Sequence, residues 1–210
     1  MEINNDGLIV DGIELDKDNK QFFDAAKLVL ETEQQVVYLT GKAGTGKTTF
    51  LKYIRQIYDG NMVVLAPTGV AAVNANGQTI HSFFQLDFTP YPPNDSRLSR
   101  ANMRHRKHKI ELIENLSFIV IDEISMVRCD ILDAVSEILR IYRNKNSPFG
   151  GIKVLMIGDT FQLPPIAKPV WPILQDYYDT PYFLVQNHIR KVRLITLNWI
   201  NHTDKLNRNF

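Results

Sequence analysis

The stretch GKAGTGKT, residues Gly41 to Thr48, is a complete G-x-x-x-x-G-K-[ST] phosphate loop, and it decides the fold of this chain. It follows the apolar run Val36-Val37-Tyr38-Leu39 and precedes the helical stretch Phe50-Leu51-Lys52-Tyr53-Ile54, which is the strand-loop-helix context that the motif requires. The same letters could form a plain glycine-rich turn between a strand and a helix. The flanking context favours a nucleotide-binding site instead.

The loop supplies the two things that a chain of phosphates needs, backbone N–H groups and positive charge. Its glycines let the backbone curl until successive N–H groups point at the phosphates, while Lys47 and the positive end of the following helix add charge. The hydroxyl of Thr48 is available to bind Mg²⁺. The residues expected to contact the nucleotide are Gly41, Ala43, Gly44, Thr45, Gly46, Lys47, Thr48 and Thr49.

Composition places the chain among ordinary soluble globular proteins. Its 210 residues suit one large domain, or one domain with an insertion, and 44% apolar with 22% charged residues is typical of a packed core. A single cysteine, Cys129, excludes an internal disulfide and a zinc site of several thiolates, and we expect it to pack as a small apolar residue on a helix. No signal peptide or membrane span is evident, so we expect a cytoplasmic protein, free of membranes and in a reducing compartment.

The net charge of +1 hides an uneven distribution. Residues 1–18 are acidic, whereas the segment 97–109 holds six Arg or Lys residues and no acid. A nucleic-acid contact and a solvated basic loop both explain such a segment, and the loop is the commoner case.

Four apolar runs predict buried parallel strands, because three of them contain no alternating polar residue. The runs are Val36–Leu39, Met62–Ala66, Phe118–Ile121 and Lys153–Ile157, and helical stretches are predicted at 19–31, 47–58, 69–75, 106–115 and 128–143. Strands that alternate with helices indicate a doubly wound α/β sheet, with ligands at the carboxyl ends of the strands. The proline-rich segment 87–105 breaks this pattern and indicates an excursion from the sheet.

Two further strand ends carry polar residues with catalytic potential. Asp122 and Glu123 follow an apolar strand in the form of a Walker B element, where one acid can hold Mg²⁺ and its neighbour can polarise the attacking water. An isolated Asp-Glu pair is more often a helix N-cap, but the upstream phosphate loop favours catalysis. Gln162 lies in the Gly158–Pro165 stretch after the last strand, where its amide could reach a γ-phosphate or water. Taken alone, this stretch favours a plain strand-to-loop turn.

Six segments together resemble the N-terminal motor domain of the Pif1-like DNA helicases, relatives of the RecD helicases in superfamily 1. They are 44–48, Ala66-Pro67-Thr68-Gly69-Val70-Ala71-Ala72, Thr79-Ile80-His81-Ser82-Phe83-Phe84, Ile121 to Val127, Pro148-Phe149-Gly150-Gly151 and Gly158 to Pro165. The resemblance runs from about residue 13 to about residue 185, in the family's order of motifs. It implies a RecA-like P-loop NTPase fold with a mostly parallel sheet and helices on both faces.

The resemblance also implies a role for each matched residue. Lys47 would neutralise the β- and γ-phosphates of ATP, Thr48 and Asp122 would hold Mg²⁺, Glu123 would activate water, and Gln162 would couple the γ-phosphate to DNA. The residues expected to contact single-stranded DNA are Thr68, Gly69, Val70, His81 and Ser82. Phe83 and Phe84 are expected in the core, and the segment around 87–109 falls where this family inserts a small wedge subdomain.

The chain departs from the family pattern in two places. Where the family usually has a Gln that reads the adenine edge, counting from Leu15 gives Asn19, with Gln21 two residues further on. Asn could make the same paired hydrogen bonds from a shorter stem, so both residues stay candidates. The stretch near Leu197 also lacks the family's arginine for the γ-phosphate, and the chain ends at Phe210.

We therefore expect residues 1–210 to form one RecA-like domain, with the second motor domain absent and needed in cis or in trans. The first functional hypothesis is an ATP-dependent DNA helicase motor domain, nucleoid-associated or nuclear, with roles in DNA repair, recombination and telomere maintenance implied by the resemblance. The alternative is a naturally shortened, ATP-switched module that binds nucleic acid or a partner with little turnover. A general P-loop ATPase unrelated to DNA is a third reading.

Overall fold

The computed structural model describes residues 9–10, 13–14, 20–103, 105–159, 161–183 and 195–199. Within these residues the centre of the fold is a sheet of six parallel strands in the order β5-β4-β6-β7-β3-β8. The strands of this sheet are β3 (Val36–Gly41), β4 (Met62–Ala66), β5 (Gln78–Thr79), β6 (Phe118–Ile121), β7 (Lys153–Gly158) and β8 (Ile195–Trp199). A separate antiparallel pair joins β1 (Ile9–Val10) to β2 (Ile13–Glu14).

Helices connect the parallel strands, as the alternating pattern predicted. They are α1 (Lys20–Glu31), α2 (Lys47–Ile57), α3 (Gly69–Asn74), α4 (Ile80–Phe84), α5 (Lys107–Asn115), α6 (Cys129–Tyr142) and α7 (Trp171–Leu174). The four predicted strands and five predicted helices are confirmed within one or two residues at each end. The pattern did not predict the shorter elements, of two to five residues each, which are β1, β2, β5, β8, α4 and α7.

The sheet separates two hydrophobic cores, because alternate residues of each central strand point to opposite faces. Val36 and Tyr38 join α4 and α6 on one face, while Val37 and Leu39 join α1 and α2 on the other. The same division holds along β6 and β7. Burial on both faces therefore explains why these strands read as unbroken apolar runs.

The segment between α4 and α5 leaves the sheet and packs against α6, with one short 3₁₀ turn at Ser96–Leu98. Tyr91 and Leu98 anchor it, since their side chains are 4% and 8% exposed. At the start of α6, Cys129 is fully buried as expected, and burial raises the pKa of its thiol to about 12. None of the described helices combines the length and the hydrophobicity that crossing a bilayer requires.

Candidate nucleotide site and nucleic-acid interface

The phosphate loop joins β3 to α2 and owes its curl to two glycines. Gly44 and Gly46 have φ angles of 75° and 95°, in the left-handed region that favours glycine. A Cβ at Gly44 would meet no atom within 4 Å, so the backbone angle, not a lack of space, requires glycine there. The loop also ties itself together, since the Thr45 hydroxyl donates to the Lys42 carbonyl at 2.9 Å.

Lys47 lies in the first turn of α2 and reaches back over the loop. Its ammonium donates to the carbonyl oxygens of Gly41 at 2.6 Å and Lys42 at 2.9 Å. The ammonium is therefore held against the loop that would cradle a phosphate chain. Thr48, the next residue, is exposed at the start of the same helix.

The sheet order brings the second catalytic element beside the loop. β7 lies next to β3 and β6 lies next to β7, all parallel, so the residues that follow these strands share one edge of the sheet. Asp122 and Glu123 follow β6, and Asp159 follows β7. These acids therefore lie at the edge of the sheet where the sequence analysis expected ligands.

The acids and Lys47 influence one another electrostatically. Burial raises the pKa of Asp122, while the backbone N–H of Glu123 and the Lys47 ammonium act in the opposite direction. Burial also raises the pKa of Glu123, the carboxylates of Asp122 and Asp159 add to this rise, and Lys47 opposes it. A carboxyl group with a raised pKa is better suited to accept a proton from water than an ordinary surface carboxylate.

Backbone geometry fixes the direction of Glu123. Its φ of 51° and ψ of 44° are left-handed, and its N–H donates to Asp122 Oδ1 at 3.0 Å. The 3₁₀ turn Ile124–Met126 follows and packs against the end of β7, where a Cβ on Gly158 would lie 2.8 Å from Ile124 Cγ2. Gly158 is thus required by the close approach of the ends of β6 and β7.

Gln162 lies in a tight turn directly after β7. Asp159 builds this turn, because its Oδ1 accepts from the Phe161 N–H and its carbonyl accepts from the Gln162 N–H, both at 3.0 Å. Asp159 is only 7% exposed, so the turn is well anchored. The backbone of Gln162 therefore starts from the same sheet edge as the phosphate loop.

The Pro148–Gly151 segment does not join this site. It precedes β7 and so lies at the opposite edge of the sheet, where Phe149 and Gly150 have φ angles of 47° and 62°. The Ser136 hydroxyl of α6 accepts the Phe149 N–H at 3.0 Å, and the Gln35 amide donates to the carbonyls of Pro148 and Ile152. This segment has a structural role, fastening α6 to the start of β7.

The residues expected to touch DNA lie in the connections after β4 and β5. Thr68 caps α3, since its hydroxyl accepts the Ala71 N–H at 3.2 Å, and Gly69 and Val70 follow it on the surface. Val70 is 75% exposed. Val70 and Gly69 are therefore accessible for contact.

His81 and Ser82 occupy the first turn of α4. Thr79 caps this helix by accepting the Ser82 N–H at 3.1 Å, which leaves Ser82 at the surface. The His81 ring stacks on Phe88 with 4.8 Å between centroids and 22° between planes. Phe83 and Phe84 are each 1% exposed, so the prediction that they belong to the core is confirmed.

A buried ion pair supports this surface from below. Arg128 donates to Asp130 Oδ1 at 2.8 Å and to Oδ2 at 2.7 Å, and the Tyr91 N–H donates to Oδ2 at 3.0 Å. Asp130 is 0% exposed. Burial lowers the pKa of His81, Arg128 lowers it further, and Asp130 opposes both, so the imidazole is neutral near pH 7.

The basic segment 97–109 is less free than its charge count indicated. Arg97 pairs with Asp95 at 2.6 Å, lies 3.6 Å from the Asp87 carboxylate and stacks over the Tyr91 ring at 4.1 Å. Lys109 lies 3.9 Å over the Phe83 ring, and burial lowers the pKa of its ammonium. Arg100 and Arg106 are exposed.

Two sequence predictions concern residues that the structure does not describe. Asn19 and the stretch 200–210 lie outside the described residues, so the adenine contact and the missing arginine stay predictions. Sequence reasoning missed Phe88 and the Arg128–Asp130 pair. An aromatic residue in a segment otherwise rich in proline and polar residues is the signal that could have found Phe88.

Comparison with known proteins identifies the family. The model of the PIF1-like helicase family matches residues 14–171, three quarters of the chain. The chain belongs to the PIF1-like helicase family. The sequence-based resemblance is thereby confirmed, and the fold is the RecA-like one shared by solved Pif1 helicases.

The individual relatives come from organisms that are distant from one another. The ATP-dependent DNA helicase PIF1 of Saccharomyces cerevisiae is 39% identical over 137 residues, covering 63% of this chain and 16% of that protein. The human PIF1 helicase is 36% identical over 149 residues, covering 70% of this chain and 23% of that protein. The Bacteroides Pif1 structure in complex with ADP-AlF3 and single-stranded DNA has a TM-score of 0.80 at 39% identity, covering 87% of this chain and 42% of that one. This chain thus spans about a fifth of the curated relatives and about two fifths of the solved chains.

Proposed function

We propose that this chain is the ATP-binding motor domain of a DNA helicase of the PIF1-like family. It would bind ATP with Mg²⁺ and single-stranded DNA, and hydrolysis would drive translocation and unwinding when a second RecA-like motor domain completes the site in cis or in trans. The observation that carries the proposal is the shared sheet edge, where the phosphate loop, the two acids and the Gln162 turn lie on adjacent parallel strands.

Each side chain has a separate part in the proposed reaction. Lys47 sits on the loop to neutralise the β- and γ-phosphates, and Glu123 would orient the attacking water and draw off its proton. The Asp122 carboxylate and the Thr48 hydroxyl are oxygen donors of the kind that Mg²⁺ prefers, and bound Mg²⁺ would supply charge neutralisation to the phosphates. Gln162, on its anchored turn, would sense the γ-phosphate through its amide.

The DNA half of the proposal rests on position. The connections after β4 and β5 leave the same edge of the sheet as the phosphate loop, so Thr68 and Ser82 lie on the catalytic side of the domain. Backbone N–H groups and hydroxyls of this kind contact DNA phosphates without reading sequence. The solved relative from Bacteroides carries single-stranded DNA, which supports this substrate class.

Family membership does not favour the alternative of an ATP-switched module with little turnover. A helicase that acts on chromosomal DNA would work in the cytoplasm of a bacterium or the nucleus of a eukaryote.

The test measures ATP hydrolysis with and without single-stranded DNA, by the protein alone and mixed with or fused to a second motor domain taken from a Pif1 relative. We expect DNA-stimulated hydrolysis in the completed protein and its loss in Lys47→Ala, with Lys42→Ala as a matched control from the same loop. An arginine supplied by a partner domain contributes about 10³- to 10⁵-fold in rate, so the chain alone should turn over slowly. Hydrolysis that DNA leaves unchanged in the completed protein would refute the motor function.

A further inference from the structure

The outer face of the Phe88 ring is free although its inner face is stacked on His81. Phe88 is 82% exposed, and its ring lies parallel to the imidazole within 22°. A ring this exposed gains little of the free energy that burial would provide, so it contributes little to the stability of the fold. Among the described aromatic rings it is one of the two most exposed, with Phe161 in the turn after β7.

Hydrogen bonds brace the loop that carries Phe88. The Leu86 N–H donates to the His81 carbonyl at 2.9 Å, and Leu86 is buried. The Asp87 N–H donates to the hydroxyl of Tyr91, three residues after Phe88, at 2.8 Å, which ties together the two ends of the loop. Tyr91 is in turn held by the buried Asp130 carboxylate, so the backbone around Phe88 is braced against α6.

The His81 ring below Phe88 stacks on it and brings no charge to the site. Neutral His81 presents a flat imidazole, and its Nδ1 is buried without a partner among the described residues. The carboxylate of the preceding residue, Asp87, which could repel DNA, lies 3.6 Å from the Arg97 guanidinium. The exposed neighbours Ser82 and Thr89 are small and polar.

We propose that Phe88, backed by His81, is a stacking platform for one nucleobase of the single-stranded DNA bound by this domain. The inference rests on the proposed DNA-binding function and adds a base contact to phosphate contacts. A nucleobase suits the site better than a protein partner does, because the exposed apolar surface is a single ring set among polar side chains. A protein interface would need a broader apolar patch.

The same geometry predicts little sequence preference at this position. Every base has a flat aromatic face, and the described surroundings of Phe88 aim no hydrogen-bonding pair at a base edge. The platform would therefore hold the strand in register by stacking while the phosphate contacts supply most of the affinity.

The test compares wild type with Phe88→Ala, Phe88→Leu and Phe88→Trp in equilibrium binding to a fluorescent oligothymidine. We expect Phe88→Ala to bind about 5- to 150-fold more weakly, which corresponds to the loss of one stacked base. Phe88→Leu should also bind weakly, because it keeps apolar bulk but no aromatic face. Phe88→Trp should bind about as tightly as wild type, because it keeps an aromatic face. The salt dependence of binding should keep its slope, since no phosphate contact is removed.

A scan of single abasic positions along the oligonucleotide separates stacking from indirect effects. In wild type one abasic position should weaken binding, and in Phe88→Ala that position should cost nothing further. Tyr177→Ala, which removes another exposed aromatic ring, is the matched control and should bind as wild type does. Thermal unfolding of Phe88→Ala should match wild type because the side chain is exposed.

The possible failures are distinct. If wild type binds no single-stranded DNA at any salt concentration tested, the proposed function fails and the platform with it. If wild type binds DNA and Phe88→Ala binds it equally well, or loses the same affinity at every abasic position, the platform alone is refuted.

Discussion

Asp130→Ala is expected to lower the free energy of unfolding by about 3–5 kcal/mol, because it breaks a buried ion pair and leaves its cation behind. The Asp130 carboxylate is 0% exposed and the Arg128 side chain only 12%. Three hydrogen bonds end on that carboxylate, two from Arg128 and one from the Tyr91 N–H. Removing the carboxylate leaves the Arg128 guanidinium and the Tyr91 N–H without this hydrogen-bond acceptor.

A second ion pair on the same helix provides the control. Glu137 and Arg140 also lie on α6 and approach to 2.6 Å, but their side chains are 38% and 29% exposed. Solvent screening reduces such a pair to about 0–1 kcal/mol, so Glu137→Ala should be nearly neutral. The two variants remove one carboxylate each from one helix and differ mainly in burial.

Urea denaturation and thermal unfolding measure the difference. For a domain of this size about 1 kcal/mol shifts the melting temperature by about 2–4 °C, so Asp130→Ala should melt about 6–20 °C lower and Glu137→Ala less than about 4 °C lower. Asp130→Asn should fall between, because its carbonyl can still accept the Tyr91 N–H. The double variant Arg128→Ala/Asp130→Ala should be more stable than Asp130→Ala, since no charge stays buried unpaired.

Equal losses of stability in Asp130→Ala and Glu137→Ala would refute the argument that burial decides the value of these pairs. A double variant no more stable than Asp130→Ala would refute the part assigned to the stranded guanidinium. Below its melting temperature Asp130→Ala should also bind single-stranded DNA more weakly, because the loop that carries Phe88 has lost its brace.

Two further predictions concern the catalytic edge. Gly158→Ala should lower the free energy of unfolding by about 1–3 kcal/mol, because its Cβ would lie 2.8 Å from the buried Ile124 side chain. Gly69→Ala is the control and should leave the free energy of unfolding unchanged, because its Cβ would have no atom within 4 Å. Equal shifts of the urea midpoint in the two variants would contradict this. Glu123→Gln should raise the melting temperature at pH 8, because burial and the neighbouring carboxylates raise the pKa of Glu123 and its ionisation therefore destabilises the fold above that pKa. The gain should vanish near about pH 3, below the ordinary glutamate pKa of about 4.3, where Glu123 of wild type is protonated in both the folded and the unfolded state. A gain of equal size at both pH values would contradict the cause given.

The sequence predicted those features that depend on local chemistry and burial on two faces. The apolar runs of β4 and β6 are covered by helices on both sides, so their bounds follow from composition alone. The phosphate loop was predicted because its spacing is set by backbone geometry that glycine must provide. Asp122 and Glu123 followed, since polar residues that interrupt a buried parallel strand must lie at its end.

Features that depend on contacts between residues far apart in the sequence could not be predicted from local composition. Counting charges over 97–109 indicated an open basic surface, but Asp87 and Asp95, just before that window, neutralise Arg97. The Arg128–Asp130 pair looks like an ordinary helix start until the fold brings Tyr91 against it. Short elements such as α4 carry too few residues for a period to be recognised.

The 3₁₀ turn Ile124–Met126 connects two parts of the domain, Glu123 at the sheet edge and Arg128 at the start of α6. Ile124 and Ser125 are fully buried and Val127 is 2% exposed, so the connection offers no slack to absorb movement. Close-packed interiors shift as units and do not stretch. A displacement of Glu123, at the proposed nucleotide site, would therefore be passed through four intervening residues to the Arg128–Asp130 pair beneath the loop proposed to bind DNA.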